Sequence, residues 1–217
     1  GAAAWVGLGQ SGANALTELV VVDADYQAVL NYAAAQGYTL PSTGQQILQN
    51  QLLVDLKASG AWVKLDSFAA FATDGDVNFA LIDWVRLQTM TAVSSPVFTI
   101  NQGFRGDGVS SYINSNFNPV ISGTNYTLDN ASITMWNNDF VTNEFISGLS
   151  GTVANCMRMS VSSSNVRINM GNNAPVPNIN LGDAAKKMRQ LNRVNSNDII
   201  AFQDTVSSSH TGASVAV

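Results

Sequence analysis

The chain has 217 residues, of which 46% are apolar and only 12% charged, against a usual charged share of about 25%. A net charge of −5 and a pI near 4.6 exclude a nucleic-acid binder, because such binding rests on Lys and Arg neutralising phosphates. Ordinary hydrophobicity with low net charge excludes a disordered chain, and no run of about 18 apolar residues is present to span a membrane. Polarity comes instead from Ser, Thr, Gln and 23 Asn, giving a neutral hydrogen-bonding surface that is cheaper to desolvate against a neighbour than a charged one.

In chain order, the opening GAAAWVGLG lacks the basic start and long apolar core of a signal peptide. Residues 1–22 read as an arm whose Leu8 and Leu16–Val22 dock onto a neighbouring subunit. Asp23 and Asp25 supply the cap and negative charge of a helix start. Tyr26, Val29, Leu30 and Ala33 follow at helical spacing, and Gly37 ends the helix. A second helix starts after Pro41 with Ser42, Thr43, Gly44 and Gln45 as a capping box. Its core stripe is read as Ile47, Leu48, Leu52, Leu53 and Leu56, and Gly60 closes it. The two predict an antiparallel helical pair packed on another layer.

From Ala61 the pattern turns to strands. Phe68–Ala72 and Phe79–Trp84 are predicted strands around the turn Thr73–Asp76. Short β-runs then recur at Thr89–Val93, Val97–Ile100, Val109–Ile113, Ala131–Trp136 and Glu144–Ile146. Met157, Met159 and Val161 alternate with polar residues and are answered by Val166, Ile168 and Met170 across Ser163–Ser164, predicting a one-sided hairpin. Lys186, Lys187, Arg189 and Arg193 read as the polar face of a strand or turn, and Met188–Arg193 is a further candidate strand. Asp198–Phe202 and the strand–turn–strand of Thr205–Val217 complete a series typical of a sandwich or barrel.

Three segments carry a resemblance. Gly103–Ile113, Tyr126–Trp136 (YTLDNASITMW) and Arg189–Phe202 (RQLNRVNSNDIIAF) resemble, in order, strands of laminin-G-like, concanavalin A-type domains. Upstream, the stretch from Gly37 to Trp84 is similar to a segment that precedes such domains in proteins of tailed bacteriophages, notably those of Bacteroidetes hosts. The resemblance implies a mainly β jelly-roll sandwich over 85–217, preceded by an arm with a helical hairpin and short strands over 1–84. Its last strands are expected in a longer chain or on a partner. It also implies a virion structural protein, a tail or fibre component or a head decoration, whose partners are other virion proteins and copies of itself. The rival expectation is a soluble carbohydrate-binding module of a secreted bacterial protein.

Chemistry is sparse. Glycoside hydrolysis needs two flanking carboxylates, but Glu18 and Glu144 are the only Glu and stand far apart. The single histidine, His210, sits in SSSHTG without a Gly-x-Ser-x-Gly elbow, so serine catalysis is not expected. Gly7, Gly9 and Gly12 match a dinucleotide-binding fingerprint in letters but lack the flanking strand and long helix. Cys156 has no second cysteine and reads as a buried small hydrophobe. Asp74, Asp76 and Asn78 alternate like the start of a calcium loop, yet Phe79 stands where that loop needs Gly and Val85 where it needs Glu. That leaves at most a weak Ca2+ site shared with another loop, against a plain polar turn, and no cofactor is expected. Trp136, Asn137, Asn138 and Asp139 place an aromatic beside amides and a carboxylate, a set suited to stacking and hydrogen-bonding a host-surface glycan. The competing reading buries Trp136 at a strand end as core. The expectation is therefore a non-enzymatic protein.

Overall fold

The computed structural model describes residues 21–127, 129–138, 145–148, 157–162, 165–170, 187–203 and 206–211. Asp139, Cys156, Glu18, Glu144, Lys186, Ser163–Ser164, the Gly7–Gly12 run, most of the N-terminal arm and the last six residues lie outside them, as does the His210 side chain.

Both predicted helices form where their local signals place them. Helix α1 spans Ala24–Ala35 and is capped by Asp23, whose carboxylate accepts from the Asp25 amide at 2.9 Å. Helix α2 spans Thr43–Ala58 and is capped by Ser42 through the Gln45 amide. Each ends in the same way. Gly37 and Gly60 take left-handed φ values of 74° and 72°, and the amides of Tyr38 and Ala61 reach back to the carbonyls of Ala33 and Leu56. Only glycine enters that conformation without a Cβ penalty.

The start of α1 packs against the second half of α2. Lys57 bonds Asp23 and Asp25 at 2.5 and 2.8 Å, and Tyr26 donates its hydroxyl proton to Gln49 Oε1 at 2.7 Å. Here the expected face of α2 is corrected. Gln49 and Asn50 are buried, while Ile47, Leu48 and Leu52 are exposed; of the predicted stripe only Leu53 is fully buried. The reason is polar pairing. Asn50 accepts from the Asp23 amide and donates to the Val21 carbonyl, so its side of the helix must face α1.

After a 3-10 turn at Trp62–Lys64, residues 68–72 enter no ladder, so the predicted strand there is absent. The predicted strand at Phe79–Trp84 is also corrected. Asp76 caps a helical turn α3 at Val77–Ala80 by accepting from the Phe79 amide, and only β1 (Ile82–Asp83) remains extended. β1 pairs with β2 (Gln88–Thr89). The core closes here: Tyr26, Val29, Leu30 and Ala33 of α1 meet Leu53, Phe79, Ile82 and Trp84. The Trp84 ring lies 5.3 Å from Tyr26 and 5.4 Å from Phe68, in tilted and edge-on contacts.

Two small ladders follow: β3 (Thr91–Val93) with β6 (Tyr112–Asn114), and β4 (Val97–Thr99) with β5 (Gly103–Arg105). Phe104 of β5 packs on Phe98 and Phe71, and Gly103, with φ of 91°, lets the backbone approach Phe71. Residues 109–111, expected in the strand before Ile113, instead wrap the Asp107 carboxylate. A short helix α4 (Pro119–Ser122) precedes β7 (Ala131–Asn137).

The remaining strands make two antiparallel sheets. One orders β10 (Asn165–Met170), β9 (Met157–Ser162) and β8 (Phe145–Gly148). Its β9–β10 register sets Val161 opposite Val166 and Met159 opposite Ile168, the predicted hairpin pairing. The other orders β13 (Val206–Thr211), β12 (Asp198–Gln203), β11 (Lys187–Arg193) and β7. The architecture is thus small helices with short antiparallel strands in several small sheets.

Candidate functional site

The four-stranded sheet presents two unlike faces because alternate residues point to opposite sides. On β7, Ser132, Thr134 and Trp136 are exposed; on the other side Ala131 is buried and Ile133 and Met135 partly so. On β11, Leu191 is buried between Arg189 and Arg193, which are 1% and 3% exposed. This corrects the reading of the two arginines as an outward polar face. Leu191 needs burial, and alternation takes both arginines inward with it, directly opposite Met135 and Ala131. Burial pulls the Arg193 guanidinium below its ordinary value, partly opposed by the nearby Asp129.

Register assembles the outward face into cross-strand rows. Ser132 is opposite Asn192, and Asn192 opposite Ile200; Thr134 is opposite Gln190, and Gln190 opposite Phe202; Trp136 is opposite Met188. Ser207 and Ser209 of β13 extend the rows from Phe202 and Ile200. Along the rows the Gln190 amide donates to Ser132 Oγ at 3.1 Å, and Ser132 Oγ donates to Asn192 Oδ1 at 2.7 Å.

Trp136 stands at one end of this face and is 61% exposed, so the reading of it as core is overturned. Its indole N–H donates to Asn138 Oδ1 at 3.0 Å, and the Asn138 amide donates to the Gln102 carbonyl at 3.1 Å. Gln102 lies in the β4–β5 turn, between Asn101 and Gly103 with φ of 61° and 91°. Two hydrogen bonds thus tie the rim of the ring to a tight turn while most of the residue stays exposed. Asn137 is not part of this surface. It falls on the alternate side of β7, and its Oδ1 is buried with no hydrogen-bond partner among the described residues. Asp139 lies outside the described residues.

The chain matches no protein-family model, no curated protein and no solved structure.

At the second candidate, Asp76 accepts from the amides of Thr39 and Phe79, both at 2.8 Å, and Asp74 accepts from the Ser42 amide at 2.9 Å. These carboxylates work as caps that pin the α1–α2 connection to the Thr73–Asp76 turn. Among the described residues no three His, Cys, Asp or Glu side chains cluster as metal ligands. A cleft of about 120 Å3 is lined by Asp25, Ala28, Trp62, Trp84, Val85 and Leu87, but its carboxylate already binds Lys57 and the Trp62 indole N–H.

The outward sheet face therefore carries an aromatic ring, a second partly exposed ring at Phe202, and a ladder of amides and hydroxyls. Such a face is chemically suited to stacking and hydrogen bonding. The participation of Met188, Gln190 and Phe202 is not visible in the sequence around Trp136, because it depends on the pairing of segments more than fifty residues apart.

Proposed function

We propose that this chain is a non-enzymatic structural protein of a tailed-bacteriophage particle, a tail or fibre component or a head decoration, that touches host-surface glycans. The observation that carries the reading is the open sheet face around Trp136, neutral and tethered at its aromatic end. The virion setting draws on the likeness of the Gly37–Trp84 segment and of the three β-segments to phage laminin-G-like proteins. In this reading the three- and four-stranded sheets belong to the two layers of a concanavalin A-like jelly roll. The exposed Ile47, Leu48 and Leu52 of α2, with the charge-poor surface, suit packing against other virion proteins or further copies of this chain.

The same sheet face would serve a monomeric carbohydrate-binding module of a secreted bacterial protein. Light scattering on the purified chain separates the two. A stable trimer or larger closed oligomer is expected, and antibody labelling of purified particles should then locate it. A monomer absent from particles sinks the virion reading and leaves the module.

A further inference from the structure

We infer that the outward face of the β13–β12–β11–β7 sheet is a two-platform site for an uncharged oligosaccharide, with Trp136 and Phe202 stacking on separate sugar rings and Gln190 between them. The inference rests on the glycan-contact reading above and gives it a location and a ligand class.

Three observations lead there. Stacking demands an aromatic face open to solvent and held still, which Trp136 meets through its exposure and the bonds running from its indole to Asn138 and Gln102. A second ring must lie on the same face at a sugar-chain distance. Phe202 is two strands over and one row along, which from strand spacing and rise puts the two Cα atoms about 12 Å apart, the span of a short oligosaccharide. The space between must offer hydroxyl partners. Gln190 lies there opposite both Thr134 and Phe202, and its amide group is already oriented by Ser132.

Charge selects the ligand. The described side chains of the face include no cation and one carboxylate, Asp198 at the far end of β12, whereas Arg189 and Arg193 of β11 are buried on the opposite side. A sulfated or carboxylated glycan would be desolvated here without a cation to meet it, so an uncharged chain is the complementary partner. Such a ligand presents apolar ring faces to the aromatics and hydroxyls to the amides.

The test is a printed array of neutral and anionic glycans probed with the full chain, followed by calorimetric titration of the strongest hit. Trp136→Ala serves as the main variant because an exposed ring can be removed without opening the core, and Gln190→Ala as the second. A neutral hit of at least three sugars, weakened roughly tenfold by each variant, is the expected result. A hit unchanged in both variants overturns the site while leaving glycan contact in place. Hits confined to anionic glycans overturn the charge argument and the inference with it. A blank array with the chain still oligomeric and present in particles overturns the site and the glycan contact together, and leaves the virion role standing.

Discussion

Asp83 is fully buried and accepts from five donors: the Ser67 hydroxyl at 2.6 Å, the amides of Phe68, Val85 and Arg86, and Arg86 Nε at 2.6 Å. Arg86 passes the connection on, donating to the carbonyls of Ser115 and Asn116 and lying 5.2 Å from the centre of the Phe117 ring. Removing one partner of such a pair strands the other's charge out of water. Asp83→Ala is therefore expected to destabilise by about 3–5 kcal/mol in urea unfolding. Other carboxylates make stability depend on acid. Hydrogen bonding to Lys57 holds Asp23 below the ordinary carboxylate value, and the amides of Ser111, Ser110 and Val109 do the same for Asp107. Burial pushes Asp66 up, but the amides of Asn125, Tyr126 and Thr124 outweigh it and leave it lowered. A depressed folded value means that the contribution is complete above the ordinary carboxylate range and is lost as pH falls through the folded value. The urea midpoint should thus stay level down to about pH 5 and drop below about pH 4. A midpoint still level at pH 3 would sink this account. At the same scale, Asn138→Ala should shift the Trp136 indole resonance in a 1H–15N spectrum with little change in the unfolding midpoint.

At the scale of elements, the two long helices were legible because their signals are local. Asp23 and Ser42 start them, and Gly37 and Gly60 stop them, within a residue or two of the reading. The face that α2 buries was not legible, because the partners of Gln49 and Asn50 are a tyrosine and a backbone segment more than twenty residues away. In the dissociated chain, Leu48→Gln and Leu52→Gln are accordingly expected to change stability by no more than about 0.5 kcal/mol, whereas Leu53→Ala should cost about 2–5 kcal/mol. Comparable losses at all three positions in thermal unfolding would restore the inward stripe. The strand expected at Phe79–Trp84 gave way to a stronger local signal, the Asp76 cap. Residues 68–72 have strand-like composition but no ladder partner. Trp84 donates its amide to the Phe68 carbonyl at 2.8 Å, and Asp83 accepts from the Phe68 amide, so the segment is held from one end.

For the molecule as a whole, the β-rich character could be read from recurring alternation and turns, and the β9–β10 hairpin even in its register. The candidate site could be read only in part. Trp136 and Asn138 are neighbours in sequence and do act together, but Asn137 between them faces the other way, as alternation on a strand requires. The rest of the surface comes from β11 and β12, whose pairing with β7 leaves no mark near Trp136. The grip of Asp66 on Thr124, Asn125 and Tyr126 spans 58 to 60 residues, so its bonds close a long loop. Closing such a loop costs chain entropy before any contact repays it, which places this contact late on the folding route. A late contact governs how fast the native state is left, with little bearing on how fast it is reached. In a stopped-flow chevron, Asp66→Asn should raise the unfolding rate while leaving the refolding limb nearly in place. Asp66 would then be a latch on the lifetime of the folded chain, holding the native state without helping to build it.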